Sequence, residues 1–285
     1  MLRFLWRRAV SEEELPRPWS GRGGVAINPS FARVAGGMAW AWREAPSWEG
    51  PFEAMWQGPG GEPERMADLF RRFGFGDVVA DPKVWRQGDG LAVTFNSGWD
   101  RERNRLYVAR IWPEVGAPEE VGCPGRRRVE KNWGFFEADG RVQVLYGLSP
   151  VPVFMASAGG EFLPVAEGEA VGAGRTLGSQ PVFWGGRWYV MGHRRGWIRG
   201  KRWYVAELWS FGRVGSGWGD VRRESGPWAH SPVGLLGGGR KRNRNLLSCT
   251  YCTGLERADG GWWVGYGLND RSAHVAWLPD ALSIA

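Results

Sequence analysis

Three carboxylates and a set of cationic and hydrogen-bonding side chains stand at regularly spaced points of this chain. Asp81 lies directly before Pro82, Glu130 opens the run Glu130-Lys131-Asn132-Trp133, and Asp270 follows Asn269 near the end of the sequence. A carboxyl group can hold or release a proton at a reacting atom, so these three are the candidates for acid and base chemistry. Arg43, Lys131, His193 and Tyr251 could together hold an anion, Arg in particular through its bidentate fork. Asn28, with Pro29 and Ser30 behind it, and the pair Ser179-Gln180 add neutral hydrogen-bonding groups at comparable points.

The spacing of these groups carries information about architecture. Asn28-Pro29-Ser30, Asp81-Pro82-Lys83, Glu130 to Trp133 and Gly178-Ser179-Gln180 recur at roughly fifty-residue steps. Each is followed by an apolar strand pattern, a Gly-Gly, Gly-Asp-Gly or Asp-Gly turn, and a second strand pattern, which is hairpin chemistry. A fifth unit runs from Leu246 through the Asp259-Gly260-Gly261 turn to Gly267. One small sheet cannot bury its own faces and must pack against a neighbour, so a period of this length predicts an array or a propeller. The fold class expected is all-β, a five-bladed β-propeller, with the whole chain 1–285 as one domain. In such a wheel the first strand of every blade starts at the same end of a central channel, so the polar signatures should converge on one funnel.

Composition agrees with many short strands. The chain has 45 Gly, 18 Pro and 20 Trp, with 43% hydrophobic residues. That much turn-forming residue beside so much apolar content fits tight hairpins rather than disorder. The one amphipathic helical pattern of note, Pro63 to Phe73, is about three turns long. Trp184, Trp188, Trp203 and Trp263 alternate along strand patterns and are expected to pack between blades. Cys249 and Cys252 form a lone C-x-x-C with no second pair and no suitably spaced His, which is short of a four-ligand structural zinc site, so no metal and no cofactor is expected. Residues 1–10 carry Arg3, Arg7 and Arg8 around a short apolar stretch without the core or cleavage site of a signal peptide, and no run is long enough to span a bilayer. A cytoplasmic, membrane-free protein is the expectation. The net charge of +7 is concentrated at Arg126 to Arg128, Arg194 to Arg202 and Arg240 to Arg244. Basic runs interleaved with Trp keep a nucleic acid or another polyanion open as a partner, and solvated loop tips account for them equally well.

Taken in order, Asn28-Pro29-Ser30 with Arg43, Asp81-Pro82, Glu130 to Trp133, Gly178-Ser179-Gln180 with His193, and Gly265-Tyr266-Gly267-Leu268-Asn269-Asp270 resemble the five-bladed β-propeller superfamily of glycoside hydrolases and phosphorylases. That superfamily holds arabinanases, invertase-like enzymes and mannoside phosphorylases. The resemblance covers roughly Ala26 to Leu278. It implies a carbohydrate substrate in the central funnel, with inorganic phosphate as a second substrate if the reaction is phosphorolysis. Asp81 and Glu130 would be the catalytic carboxylates. Asn28, Arg43, Lys131, Asn132, Ser179, Gln180, His193, Tyr251 and Asp270 would bind substrate, and Trp133 would stack on a pyranose. The chain departs from the superfamily in two places. Ala80 and Lys83 flank the Asp-Pro where Glu and Arg are common, and Asn28 stands where arabinanase-like enzymes have an Asp as general base. An amide cannot take a proton, which keeps open a carbohydrate-binding propeller without catalysis beside the polyanion reading.

Overall fold

The computed structural model describes residues 2–47, 49–98, 104–125, 127–235, 241 and 243–280. After a two-residue strand β1 (Arg3–Phe4), four strands β2 (Val25–Val34), β3 (Gly37–Ala45), β4 (Glu53–Gln57) and β5 (Glu64–Arg65) form an antiparallel sheet in sequence order. Helix α1 (Met66–Arg71) is half the length the sequence pattern predicts, because Glu64 and Arg65 are drawn into pairing with β4. A second sheet follows, β6 (Ala80–Gln87), β7 (Gly90–Asn96), β8 (Leu106–Trp112) and β9 (Glu119–Glu120). The third comprises β10 (Gly134–Ala138), β11 (Arg141–Gly147), β12 (Val153–Ala158) and β13 (Glu161–Glu167). The rest of the chain supplies β14 (Arg175–Leu177), β15 (Val182–Trp184), β16 (Arg187–Ile198), β17 (Lys201–Val214), β18 (Gly217–Ala229), the short α2 (Pro232–Leu235), β19 (Leu246–Ala258), β20 (Gly261–Leu268) and β21 (Ser272–Pro279). These last strands are one sheet only because β17 pairs in parallel with the start of β19, at Arg202↔Leu246 and Tyr204↔Cys249. On either side of that seam the pairing is antiparallel.

The expected class, all-β, is the class observed, and the expected hairpins fall where their turns are. Burial explains why the sheets assemble. Five apolar clusters sit between successive antiparallel sets. Phe70, Val84 and Phe95 lie with Ala41 and Trp56 between the first two, Trp85, Phe135 and Met155 between the second and third, and Phe136, Phe154 and Phe211 between the third and the strands β16 to β18. Met191, Trp228 and Trp262 join β16 to β18 with β19 to β21, and Trp42, Phe31 and Val275 join β21 back to the first sheet. Of the tryptophans expected between sheets, Trp188 packs on Phe136 at 4.8 Å, Trp184 edges Trp262 at 6.0 Å and Trp263 packs against the Trp42 and Val275 cluster beneath the Arg33 guanidinium, whereas Trp203 lies under the Arg194 guanidinium.

The first strands of the sets are stitched to one another by side chains. Val84 donates its N–H to Ser30 Oγ, and Thr253 Oγ1 donates to the Pro29 carbonyl. Gln180 accepts from Phe135 N–H and donates to Thr94 and to the Trp133 carbonyl. Glu256, buried on β19, accepts from Arg33 N–H and pairs with Arg86 at 2.5 Å. Close approach here has a steric demand. A Cβ on Gly254 would stand 2.7 Å from the Phe31 ring and 2.8 Å from the Pro29 carbonyl. Gly254→Ala is therefore expected to cost about 1–3 kcal/mol by overpacking and to lower the melting temperature. Gly147→Ala, where a Cβ meets nothing within 4 Å, serves as the control and should leave it within about a degree or two.

Candidate active site

Three of the polar signatures share an unusual backbone. Asn28, Asp81 and Asn132 have φ of 53°, 51° and 62°, in the left-handed region that Asn and Asp tolerate better than other residues with a side chain. At the first two the strand register slips, between Ile27 and Ser30 and between Ala80 and Lys83, so each Asn-Pro or Asp-Pro is a bulge at the head of an inner strand. A bulge re-aims the side chain it carries, and both side chains open into one cavity of about 600 Å³. Asn269 and Asp270, both at φ 53°, turn the chain between β20 and β21. The Asn269 amide accepts from Cys249 N–H, which anchors that turn and leaves Asp270 on the same cavity wall.

Six of the expected residues line this cavity: Asn28, Arg43, Asp81, Lys131, Tyr251 and Asp270. Arg43 Nη1 donates to Asp81 Oδ1 at 2.9 Å, and its guanidinium lies 5.4 Å from the centre of the Phe52 ring. Asn28 Oδ1, which faces Gly267, and Arg43 Nε are buried with no hydrogen-bond partner among the described residues. A wired layer stands behind the wall. Lys83 Nζ donates to Asn132 Oδ1 at 2.8 Å, and Asn132 Nδ2 donates to Tyr251 Oη at 2.7 Å. Because the Tyr251 oxygen already accepts that bond, its own proton is free to donate into the cavity. His193 stacks on the Tyr251 ring at 4.2 Å and 11°.

The two carboxylates of the cavity are displaced in opposite directions. Burial would raise the pKa of Asp81, but the charges of Arg43, Lys131 and Lys83 and a hydrogen bond from Asn96 more than offset it, and the group is held below the usual carboxylate range. Asp270 is raised, by burial first and by the negative charge of Asp81 second, against a smaller opposing pull from Arg43, Lys131 and Arg202. Among the bases, burial lowers Lys83 to about 7, with Asp81 opposing and Lys131 assisting, and lowers Lys131 as well. The cavity thus combines an Asp81 that gives up its proton more readily than an ordinary carboxyl, an Asp270 that gives it up less readily, and the guanidinium groups of Arg43 and Arg202.

The other expected site residues do not line the cavity. Glu130 is 3% exposed, and its carboxylate accepts from Trp133 Nε1 at 3.0 Å, Tyr146 Oη at 2.9 Å and Arg127 N at 2.5 Å, while Asn104 holds its backbone on both sides. Trp133 is 2% exposed, packed beside Phe135 and against Tyr146, so neither ring face is offered to a sugar; this corrects the stacking role expected of it. Ser179 Oγ donates to the Gln180 carbonyl and accepts from Met191 N–H, and the Gln180 amide is consumed by the inter-strand bonds described above. Asn132 and His193 form the second layer. His193 Nε2 accepts from Cys252 N–H at 2.7 Å, and burial, helped by the charges of Lys83 and Lys131, drives its pKa to about 3, so it is a neutral support for Tyr251. Cys249 and Cys252 are free and buried, three residues apart on one strand, with Cys249 at the cavity and Cys252 in the core. Among the described residues no group of three or more His, Cys, Asp or Glu could hold a metal ion. Arg126, Arg240 and Arg242 of the basic runs lie outside the described residues. No helix among those described is long and apolar enough to cross a membrane.

Sequence reasoning missed Phe52, Arg202, Tyr204 and Asn243, which also line the cavity. Phe52 sits in a connection and Asn243 ahead of β19, neither near a repeated signature. Arg202 and Tyr204 arrive by the parallel seam between β17 and β19, which no local pattern announces.

No protein-family model matches this chain, and no curated protein matches it. Solved structures do. A β-1,2-mannobiose phosphorylase from Listeria innocua is similar over 96% of this chain and 97% of its own, with a TM-score of 0.63 and 13% identity. A glycosyl hydrolase from Bacteroides ovatus is similar over 90% and 85%, at 0.61 and 11%. A GDP-Man-dependent mannosyltransferase from Leishmania mexicana is similar over 90% and 86%, at 0.60 and 11%. The likeness is one of fold. All three have the fold of this chain.

Two outcomes follow from the buried groups. Burial drives His193 to about 3 and both His230 and His274 to about 4, the latter two aided by neighbouring positive charge. The unfolded chain takes up protons at these sites below about pH 6.5 while the folded one does not, so stability is lost as pH falls from 6.5 toward 4. The Cε1–H resonances of all three should stay flat between pH 8 and 5, and a midpoint near 6.5 at His193 would show that its ring is open to solvent. Glu130→Gln leaves Trp133, Tyr146 and Arg127 competing for a neutral acceptor, and is expected to lower stability by about 1–3 kcal/mol in denaturant unfolding.

Proposed function

We propose that the chain is a carbohydrate-active enzyme, a single-domain five-bladed β-propeller that cleaves a glycoside in the Asp81–Asp270 cavity with inorganic phosphate as the attacking group. The observation that carries this reading is the charge arrangement: two guanidinium groups and Lys131 line one cavity with a carboxyl whose pKa is lowered, Asp81, and a carboxyl whose pKa is raised, Asp270. Carboxyls whose surroundings push their pKa values apart divide acid from base roles. Asp270, raised, serves as the acid that protonates the leaving glycosidic oxygen. Asp81, lowered and tied to Arg43, is the fixed negative charge that orients the guanidinium and accepts a hydrogen bond from a sugar hydroxyl. Phosphate then needs only a cationic cradle, which Arg43, Lys131 and Arg202 supply with the Tyr251 hydroxyl as donor. As the C–O bond breaks, an oxygen of phosphate bonds to the anomeric carbon, the leaving oxygen takes the Asp270 proton, and the proton carried by hydrogen phosphate restores Asp270. The five inter-sheet clusters support the blade count, and the fold shared with a mannobiose phosphorylase and a glycosyl hydrolase supports the substrate class.

The same pair of carboxylates supports a second reading, hydrolysis with Asp81 as the base that activates water. Two-carboxylate inversion requires about 6.5–9.5 Å between carboxyl groups and retention about 5–5.5 Å. The amide at Asn28 and the saturated carboxylate of Glu130 leave Asp81 and Asp270 as its only carboxyl pair at this cavity among the described residues.

A screen of aryl glycosides and β-linked disaccharides, with and without inorganic phosphate, tests both. Phosphate-dependent formation of a sugar phosphate is the expected result, and equal turnover without phosphate would replace phosphorolysis by hydrolysis. Asp270→Asn and Asp81→Asn should each lower the rate by on the order of 10²–10⁴ while the protein stays folded. The pH profile should be a bell, its acid limb below the ordinary carboxylate range from Asp81 and its alkaline limb above that range from Asp270. Retention of full rate by Asp270→Asn would remove the assigned acid.

A further inference from the structure

The hairpin of β16 and β17 runs outward from the cavity and ends in a two-residue turn, Arg199-Gly200, with φ of 50° and 74°. Arg195 pairs with Tyr204 and Trp197 with Arg202 across this hairpin. Side chains directly opposite in an antiparallel pair share a face, as do residues two apart on one strand. Arg195, Trp197, Arg202 and Tyr204 therefore form one face. Arg202 and Tyr204 are cavity wall. Trp197 is 57% exposed, the most exposed tryptophan among the described residues, with the Arg195 guanidinium 5.7 Å from its ring centre. On the opposite face Trp203 covers Gly196, where a Cβ would stand 2.5 Å from the indole, and takes the Arg194 guanidinium. The front of the hairpin thus runs from half-buried cavity wall at Arg202 and Tyr204 to an exposed indole at Trp197.

We propose that this front face is a second saccharide subsite, for a residue bearing an anionic group and joined to the sugar held in the cavity. Three observations carry it. The face is continuous with the cavity: Trp197 is the direct cross-strand partner of Arg202, about 4.5–5.5 Å away between Cα atoms, which is the span of one pyranose ring. It offers an exposed indole beside a guanidinium, the two groups that a carboxylated or phosphorylated sugar would use through its apolar ring face and its charge. Its two guanidinium groups are not tied up: neither Arg195 nor Arg202 forms an ion pair with a carboxylate within salt-bridge distance among the described residues, while Arg43, Arg175 and Arg187 elsewhere do. Asn243 lines the cavity from the segment before β19, and exposed Arg244 follows it, so a second segment at this rim is also basic. The proposal rests on the cavity's being a sugar site and adds the substrate class, an anionic oligosaccharide rather than a neutral disaccharide.

Calorimetric titration with three probes tests it: trigalacturonate, a mannotriose carrying a terminal 6-phosphate, and unmodified mannotriose. At least one charged probe should bind several-fold tighter than the neutral one, and which of the two does so distinguishes a carboxylate from a phosphate ligand. That preference should shrink as ionic strength rises from about 0.05 to 0.5 M. Trp197→Ala and Arg195→Ala should each weaken the charged probe by roughly five- to tenfold, the size of an exposed aromatic or charged contact, with unchanged melting temperature, and Arg195→Ala should leave the affinity for the neutral probe unchanged. Equal binding of charged and neutral probes, or charged binding untouched by both substitutions, overturns the subsite and leaves the cavity reading standing. Absence of binding by all three probes counts against both. Salt-sensitive binding of a single-stranded oligonucleotide that Trp197→Ala abolishes, without binding of any saccharide, assigns the face to nucleic acid and overturns both.

Discussion

The ion pair between Arg43 and Asp81 is the interaction on which the cavity depends. Arg43 comes from β3 in the first sheet and Asp81 from the bulge that opens β6 in the second, so the pair bridges two sheets at the rim of their shared apolar cluster. Two half-buried charges are tolerated there because each has its counter-charge within hydrogen-bonding distance. With Asp81 fixed as an anion, its field reaches the rest of the site. It helps keep Lys83 and Lys131 from losing their protons altogether, and it pushes Asp270 toward its neutral form. One half-buried pair thereby biases the protonation of the groups around it, second only to their own burial.

The polar signatures divide into two kinds by what surrounds them. Asn28 and Asp81 are strained into left-handed conformations at bulges and present their side chains to the cavity. Glu130, Ser179 and Gln180 instead satisfy backbone N–H and indole or phenol donors that would otherwise be stranded between sheets. Both kinds arise because the heads of inner strands cannot complete a regular ladder, and buried polar backbone must find a partner or face water. Where the neighbouring strand comes close, the side chain becomes mortar. Where the sheets diverge, it is left for a ligand.

Much of the fold was legible in the sequence. The repeated strand, Gly-rich turn and strand pattern located the hairpins, because left-handed turn positions and period-two alternation are local properties that residue type dictates. Asp81-Pro82 and Asn28-Pro29 were legible as cavity groups because they recur at the heads of successive strand patterns, ahead of the same kind of turn. The class of chemistry, carboxylates among cations, could be read from the same positions.

Which carboxylate faces which partner was not legible. Glu130 and Asp270 look alike in sequence, each an acid beside a polar residue near a strand end. The tertiary structure separates them by donors: three protein groups saturate Glu130, whereas Asp270 is held beside the like charge of Asp81 with its neighbour Asn269 taking the structural bond. Trp133 followed Glu130 into the core for the same reason, its indole N–H being one of those donors. Arg202 and Tyr204 reached the cavity only through a parallel seam between strands more than forty residues apart. The local backbone and the inventory of charges are already present in the order of the amino acids, because they depend on residue type and near neighbours. Only the packing of distant sheets decided which charges meet, because burial and electrostatic coupling depend on distances that no local pattern encodes.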